Sequence, residues 1–208
     1  MKEKVFAIIE ILKQRYPDPV CALHYTKDYE LMIAVRLSAQ CTDARVNLVT
    51  PALFAAYPTL EAMAQAPISH VEELVHSCGF YKHKARDIVL ACQMLLSDHS
   101  GKVPGTMEEL LKLPGVGRKT ANLLLSDLYA VPGSVVYDTH CIRICGRLGL
   151  TQGKEPEKVE RQLRAILPPE ESSDFCHRIV LFGRDICTAR NPNCAACPLR
   201  PHCKSFTG

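Results

Sequence analysis

The sequence predicts an all-α protein, and three patterns support that prediction. Apolar residues near the N terminus recur at the i, i+3, i+4, i+7 spacing of an amphipathic helix, at Val5, Ile8, Ile9 and Leu12. Hydroxyl side chains precede glutamates by three residues at two places, a pattern typical of helix N termini. No stretch alternates apolar and polar residues over the length that a sheet would require.

These patterns delimit about ten helices joined by short links. The expected helices cover residues 2–16, 29–38, 44–57, 81–99, 106–111, 118–130, 139–148, 155–166 and 171–187. Residues 29–38 are almost entirely apolar, which is typical of a buried helix. Thr42 or Asp43 can cap the helix that begins near residue 44. Ser69 and Thr106 are each expected to open a helix through a capping box with the glutamate three residues later.

The composition argues against a membrane-spanning protein, and the charge is unevenly distributed. The chain has no apolar run of about 18 residues and no recognisable signal peptide, so we expect a cytoplasmic protein. The net charge is +3. Residues 112–150 carry five basic against two acidic side chains, and residues 180–208 carry four against one. Such an asymmetry indicates a face that can contact nucleic acid.

The most informative segment is residues 113–120, with the sequence LPGVGRKT. Pro114 ends the preceding helix because it lacks an N–H group and crowds the turn before it. Gly115 and Gly117 supply backbone freedom and bare amides at the start of the next helix, where the helix dipole favours an anion such as phosphate. Lys119 lies in the first turn, where a cation opposes the dipole, which indicates a chemical role. The glycines alone are equally compatible with a plain connection between helices.

Eleven cysteines form two groups. Seven stand singly in apolar contexts, where the default is a small buried side chain, at Cys21, Cys41, Cys78, Cys92, Cys141, Cys145 and Cys176. The other four lie within 17 residues in the pattern C-x6-C-x2-C-x5-C, at Cys187, Cys194, Cys197 and Cys203. Four thiolates at this spacing can bind tetrahedral zinc or a four-iron cluster. Only Cys194 and Cys197 form the short knuckle common in zinc sites, which favours a cluster.

Four motifs together resemble the endonuclease III family of DNA glycosylases, and the similarity runs over essentially the whole chain. The motifs are LSAQCTD at residues 37–43, LPGVGRKTA at residues 113–121, VYDTH at residues 136–140 and the four C-terminal cysteines. Members of this family remove oxidised pyrimidines from duplex DNA and cleave the strand at the abasic site by β-elimination. The resemblance therefore implies damaged double-stranded DNA as the partner and a monomer in the bacterial cytoplasm, associated with the nucleoid. It also implies a [4Fe–4S] cluster bound by Cys187, Cys194, Cys197 and Cys203.

The resemblance also implies a two-lobed helix-hairpin-helix DNA glycosylase fold with a C-terminal cluster loop. One lobe would comprise residues 22–132 and contain the helix-hairpin-helix. The other would join residues 1–21 to residues 133–208 around the cluster. DNA would bind in the cleft between the lobes, where the basic segments belong.

Two residues carry the chemistry that the resemblance implies. Lys119 would attack C1′ of the damaged nucleotide to form a Schiff base, and Asp138 would stabilise the sugar cation and assist proton transfer. An amine attacks only when it is neutral, so we expect partial burial and the nearby helix terminus to lower the pKa of Lys119. The alternative for Asp138 is a plain N-cap of the helix that follows. The alternative for Lys119 is a surface lysine that contacts phosphate.

Gln40 and Phe80 fall on the family positions that fill the gap left by a flipped nucleotide. Gln40 stands at the polar end of its helix. Phe80 occupies the place where the family has leucine, and a phenylalanine can still wedge and stack. This departure leaves the preference for lesion and opposite base open.

Further positions are expected to contact the DNA backbone. Gly115 and Gly117, with Arg118 beside them, form the phosphate site of the hairpin. Arg190, between the first two cluster cysteines, resembles a basic loop that contacts phosphate. His140 falls on a DNA-contacting position of the family, although a plain surface histidine fits it nearly as well.

Two other functions fit part of the sequence. The adenine-excising branch of the same superfamily also carries a cluster, but it lacks the lysine nucleophile, has a glutamate where this chain has residues 37–40, and adds a C-terminal domain. A non-catalytic DNA-binding module would account for the glycines and the charge asymmetry, but not for Lys119 and Asp138 together. Asp138 follows Lys119 by nineteen residues, about one more than the family pattern leads us to expect. An extra residue in residues 130–135 would absorb the difference.

Overall fold

The computed structural model describes residues 1–206 of the 208-residue chain. Within these residues there are eleven α-helices and two short 3-10 helices, and there is no strand. The α-helices are α1 Lys2–Arg15, α2 Asp28–Ser38, α3 Asp43–Ala56, α4 Leu60–Ala64, α5 Ile68–Leu74, α6 Tyr81–Asp98, α7 Met107–Leu110, α8 Arg118–Tyr129, α9 Thr139–Leu148, α10 Pro156–Ile166 and α11 Ser172–Asp185. The 3-10 helices are Pro169–Glu171 and Arg200–His202. The all-α prediction is confirmed.

The chain divides into two compact units. The first contains Cys21–Tyr129 and therefore α2 to α8. The second contains Met1–Val20 and the chain from Ala130 onward, and therefore α1 and α9 to α11. Among residues 1–206, none of the helices combines the length and the apolar character needed to cross a bilayer.

Helix α2 lies at the centre of the first unit. All of its side chains from Tyr29 to Val35 are buried, and it packs against α3, α6 and α8. This burial confirms the expectation drawn from its continuous apolar sequence. Helices α4 and α5 pack against α6, while α7 packs against α8. The turn between α7 and α8 is therefore supported by the core of this unit.

In the second unit, α1 and α9 both pack against α11. Helix α1 buries the four residues predicted from their spacing, Val5, Ile8, Ile9 and Leu12. Gly183 of α11 allows a close approach of α9, because a Cβ atom there would lie 2.5 Å from His140 Cδ2 and 2.9 Å from Ile144 Cδ1. This approach positions the first turn of α9, which follows Asp138.

Two predicted helix caps are present. The Oγ1 atom of Thr106 accepts a hydrogen bond from the backbone N–H of Glu109 at 3.3 Å. The Oγ1 atom of Thr42 accepts one from the N–H of Arg45 at 3.2 Å, so Thr42 rather than Asp43 caps α3. Each bond satisfies a backbone donor that has no partner within the helix.

The capping box predicted at Ser69 is wrong. Helix α5 begins at Ile68, two residues earlier than a helix capped by Ser69 would begin, with Pro67 at the N-cap and no side-chain cap. The proline ring restricts φ, which is −58° here, and so presets the backbone for entry into the helix. Ser69 therefore lies inside the first turn.

Five of the seven cysteines that stand singly in sequence are buried as expected, whereas Cys21 and Cys41 are only half-buried. Several of the seven also lie beside one another. Cys141 and Cys145 lie one turn apart on α9, and Cys176 lies on α11; all three are fully buried. Hydrogen bonds from the thiols of Cys145 and Cys176 lower the pKa of Cys141. In the first unit, the Cys41 thiol lies close enough to Cys78 to raise its pKa. Sequence spacing predicted burial but not which thiols would meet.

Candidate active site

The hairpin turn (residues 113–117) joins α7 to α8, and Gly115 is its most constrained residue. Gly115 has a φ of +74°, a region that other residues reach only with strain. A Cβ atom at this position would overlap Arg36 Nε and lie 2.6 Å from Arg36 Cδ and 2.8 Å from Asp87 Oδ2. Arg36 and Asp87 form an ion pair, with Nη2 and Nε at 2.6 and 2.9 Å from Oδ2. The turn therefore requires glycine for both its conformation and its packing.

Gly117 differs from Gly115 in that the space around its Cβ position is open. No atom of the described residues outside its own chain neighbours lies within 4 Å of the place that its Cβ would occupy. Its carbonyl accepts the N–H of Ala121 at 2.9 Å, so Gly117 forms the entry to α8. The start of α8 therefore has open space, as binding a backbone phosphate would require.

Lys119 lies in the first turn of α8, next to Arg118, and both side chains are exposed. The expectation that Lys119 is partly buried is therefore wrong for the protein without DNA. Helix α8 turns Ala121, Leu124 and Leu125 towards the core, and Lys119 lies off that face. An exposed amine at a helix N terminus is accessible to a substrate.

Asp138, in the second unit, caps α9 and contacts a histidine. Its Oδ1 accepts the N–H of Cys141 at 2.8 Å, and its Oδ2 lies 2.8 Å from His140 Nδ1. The side chains of Asp138 and His140 are 18% and 25% exposed. The predicted N-cap is thus present. The cap uses Oδ1 of the carboxylate, whereas Oδ2 contacts His140.

Gln40 and Phe80, the two residues predicted to fill the gap in DNA, line one pocket of the first unit. The pocket has a volume of about 290 Å³, and its other lining residues are Arg36, Ala39, His83 and Lys84. Both side chains are exposed, and both residues adopt left-handed backbone, with φ of +53° and +58°. Such conformations cost energy in residues other than glycine and cluster where proteins bind ligands. We call residues 39–41 and 78–80 the gap-filling segments.

Sequence reasoning missed the charged residues of this pocket. Lys84 is 1% exposed, its Nζ donates to the carbonyl of Leu37 at 2.8 Å, and burial lowers its pKa. Arg36 lines the pocket and also pairs with Asp87 under Gly115, so this ion pair connects the pocket to the hairpin turn. The sequence did contain one indication of this pocket, because Arg36 is a charged residue within an otherwise apolar segment of α2.

The four C-terminal cysteines lie in one loop after α11 (residues 187–203, the cluster loop). Burial raises the pKa of Cys197, and the negative charges of Cys187, Cys203 and Cys194 raise it further. The four sulfur atoms therefore lie in one region of the loop, although among residues 1–206 no three metal-binding side chains stand close enough together to hold a metal ion as they are. Four thiolates are the ligand set of iron–sulfur clusters, so the chemistry of these residues fits such a group. Arg190 is exposed in the same loop.

Two arginines of α9, which sequence analysis did not identify, hold the start of the cluster loop. Arg147 donates from Nη1 to the carbonyl of Thr188 at 2.9 Å and from Nη2 to that of Ala189 at 3.0 Å. Its Nη1 also lies 3.2 Å from Cys187 Sγ. Arg143 Nη2 donates to the carbonyl of Cys187 at 3.0 Å. These contacts span 40 to 44 residues, which no local pattern could reveal.

Similarity to known proteins decides the family. The family model for HhH-GPD superfamily base excision DNA repair proteins matches residues 33–169. The model for the iron–sulfur binding domain of endonuclease III matches residues 187–203. Endonuclease III of Synechocystis sp. is 44% identical to this chain over 98% of the chain and 93% of its own length. The chain belongs to the endonuclease III family.

Other endonuclease III proteins support the same assignment. Endonuclease III of Escherichia coli K12 is 38% identical over 98% of this chain and 96% of its own length. The solved structure of a trapped endonuclease III–DNA covalent intermediate, an estranged-adenine complex, superposes with a TM-score of 0.92 at 41% identity, covering 99% of this chain and 96% of that one. The predicted family and the [4Fe–4S] cluster are confirmed. The individual cysteine ligands stay a prediction.

Removing the cluster from this endonuclease III family member is expected to disorder the cluster loop first. Within residues 188–206, Leu199 is the only buried side chain, so little apolar packing holds this segment. We expect its amide hydrogens to exchange at least about 10-fold faster in apo protein, while α2 and α11 keep their protection. Hydrogen exchange read by mass spectrometry tests this. Unchanged protection of the loop after removal of the cluster would contradict a structural role.

Gly115→Ala is expected to destabilise the hairpin, whereas Gly117→Ala is its matched control. A side chain at the left-handed Gly115 costs about 1–3 kcal/mol in backbone strain, and the overlap with Arg36 adds to it. A Cβ at Gly117 meets no neighbour, so its effect on the free energy of unfolding should stay within about 0.5 kcal/mol. Urea denaturation of both variants measures the difference. Equal stabilities would refute the packing argument.

Proposed function

We propose that this chain removes oxidised pyrimidines from duplex DNA and cleaves the strand at the resulting abasic site by β-elimination. The observation that carries the proposal is the exposed amine of Lys119, in the first turn of α8 and directly after the glycine turn. Full-length similarity to endonuclease III supports the activity. Solved structures of endonuclease III bound to DNA are neighbours of this fold. The partner is damaged double-stranded DNA.

The chemistry begins when the neutral amine of Lys119 attacks C1′ of the damaged nucleotide. The bond from C1′ to the base breaks, and the base leaves with a proton. The sugar ring opens to an imine between the lysine and C1′, and the protonated imine makes the hydrogen at C2′ acidic. Loss of that proton expels the 3′ phosphate and cleaves the strand. Water then hydrolyses the imine and releases Lys119.

Asp138 serves this reaction through the charge of its carboxylate. Negative charge near the sugar stabilises the positive charge that develops as the base departs, and the same carboxylate can accept a proton from the attacking amine. The N–H of Cys141 and the ring of His140 each contact one carboxylate oxygen, which holds the group in one orientation. A carboxylate that is already held in its reactive orientation does not have to reorganise during the reaction.

Gln40 and Phe80 fill the gap in the duplex after the damaged nucleotide has flipped out. Their exposure at the edge of one pocket supports this role. The ring of Phe80 can stack on the neighbouring bases, as aromatic side chains do in nucleic-acid complexes. Contacts to DNA around the lesion come from Gly115, Gly117, Arg118, His140 and Arg190.

The test uses a duplex that carries one oxidised pyrimidine, such as thymine glycol. We expect native protein to release the damaged base and to leave the 3′ end produced by β-elimination, both measured by chromatography and denaturing gel. An undamaged duplex of the same sequence is the control and should stay intact. Binding to the damaged duplex without release of the base would refute the proposal and favour a non-catalytic module.

We also infer that the chain acts as a monomer in the bacterial cytoplasm, in association with the nucleoid. The family resemblance of the sequence motifs supports this inference, and the substrate is duplex DNA. Light scattering of the protein with a short damaged duplex should give a one-to-one complex. A complex with two protein chains per duplex would contradict the monomer.

A further inference from the structure

The two gap-filling segments carry a pair of thiols at their bases. Cys41 directly follows Gln40, and Cys78 precedes Phe80 by two residues. The Cys41 thiol is close enough to Cys78 to raise its pKa. The backbones are neighbours as well, because a Cβ atom at Gly79 would lie 3.8 Å from the carbonyl oxygen of Gln40. Cys41 and Cys78 are 37 residues apart in sequence, yet their segments lie side by side, with one thiol at the base of each.

The two thiols differ in access to solvent. Cys41 is half-buried, whereas Cys78 is fully buried. Burial raises the pKa of Cys78 to about 11, while the ammonium of Lys84 and the guanidinium of Arg45 oppose that rise. A reactive cysteine is typically accessible and close to cations, with a second thiol beside it to resolve the oxidised product. Cys41 fits the first position because it is half-buried and interacts electrostatically with Lys84, whereas the buried Cys78 fits the second.

We propose that Cys41 and Cys78 form a reversible disulfide that switches off DNA cleavage under oxidising conditions. Hydrogen peroxide oxidises the Cys41 thiol to a sulfenic acid and is itself reduced to water. The sulfur of Cys78 then attacks the sulfur of Cys41, the S–S bond forms, and the hydroxyl leaves as a second water with the remaining thiol proton. Exchange with a dithiol restores both thiols.

The disulfide changes the geometry of the gap-filling segments. An S–S bond holds the sulfur atoms at about 2.05 Å, well inside the contact distance of two thiols, so one or both segments must move. Gln40 and Phe80 are held in left-handed conformations next to these sulfurs, and they move with them. A misplacement of about 1 Å in an enzyme site can lower the rate by roughly 100-fold. The effect on cleavage rests on the proposed gap-filling role of Gln40 and Phe80, whereas the disulfide itself does not.

The experiment uses the whole 208-residue chain with its cluster in place. Hydrogen peroxide is added over a range in which the visible absorbance of the cluster does not change, and free thiols are then blocked with N-ethylmaleimide. Peptide mass spectrometry is expected to find a peptide linked between Cys41 and Cys78. Single-turnover cleavage of an abasic-site duplex is expected to fall at least about 10-fold and to recover with dithiothreitol.

Three serine variants test whether the effect of peroxide depends on these two cysteines. The cleavage rate of each oxidised variant is compared with that of the same variant in its reduced form. Cys41→Ser and Cys78→Ser should lose both the linked peptide and the sensitivity to peroxide. If Cys78→Ser unfolds, Cys41→Ser alone decides, because its side chain is only half-buried. Cys21→Ser is the matched control: Cys21 is another half-buried thiol of the same unit, near Asp127, and its loss should change neither readout.

The outcomes separate this inference from the proposed function. Absence of the linked peptide in the native protein would overturn the disulfide. A linked peptide with unchanged cleavage would overturn the switch and leave the glycosylase and lyase activity in place. Reduced native protein that fails to cleave would refute the proposed function, and the peptide mapping would still decide whether the disulfide forms.

Discussion

Lys119→Ala is expected to abolish covalent trapping on an abasic-site duplex and to lower strand cleavage by roughly 10³-fold or more. Borohydride reduces an imine to a stable amine, so an enzyme that forms a Schiff base becomes permanently attached to its DNA. Alanine has no amine and can form no imine. Because Lys119 is exposed, its replacement should leave the free energy of unfolding within about 0.5 kcal/mol of the native value. A denaturing gel measures trapping and cleavage together.

Lys112→Ala provides the matched control for this result. Lys112 is an exposed lysine of the same hairpin, and it pairs with Glu108 on α7 at 3.3 Å. Its loss should leave trapping intact, because it supplies no nucleophile. Undiminished trapping in Lys119→Ala would assign the nucleophile to another amine. Native protein that binds the duplex but is never trapped would exclude the bifunctional mechanism altogether.

Asp138→Asn is expected to lower base release by about 100-fold or more while leaving the fold intact. Asparagine caps helices about as well as aspartate does, so the bond to the N–H of Cys141 can persist. The substitution therefore removes the charge of the carboxylate and keeps its place at the start of α9. Single-turnover release of an oxidised pyrimidine measures the rate, and thermal unfolding measures the cap.

Asp138→Ala separates the two roles of this residue. Alanine removes the cap as well as the charge, so its free energy of unfolding should fall by about 1 kcal/mol relative to Asp138→Asn. Its rate of base release should match that of Asp138→Asn, because both lack the carboxylate. A fully active asparagine variant would show that Asp138 acts only as a cap.

Local features of the fold could be predicted because they depend on neighbours in sequence. The spacing of apolar residues identified the buried face of α1, and the hydroxyl of Thr106 identified the start of α7. Such features need only the helical period and the chemistry of orphan backbone groups. Ser69 shows the limit of this reasoning, since Pro67 provided a stronger local start for α5.

The candidate site was predicted in part. Residue type and order were enough to identify the glycine turn, Lys119 and Asp138, because a sequence motif is defined by the types of its residues and by their order. Exposure was not predictable in the same way: Lys119 was expected to be partly buried and is exposed. The pocket beside Gln40 and Phe80 was also missed, since Lys84 and Arg36 acquire their places from packing between α2 and α6.

By itself, the sequence determined the helical class of this protein and the family to which it belongs, and it singled out the four cysteines predicted to bind its cluster and the two residues proposed to carry its chemistry. Only the tertiary structure decided that Gly115 lies against the Arg36–Asp87 ion pair, that two arginines of α9 hold the cluster loop, and that Cys41 meets Cys78. The physical reason is that periodicity specifies which face of a helix is buried, whereas the partner of that face is chosen by packing between segments far apart in the chain.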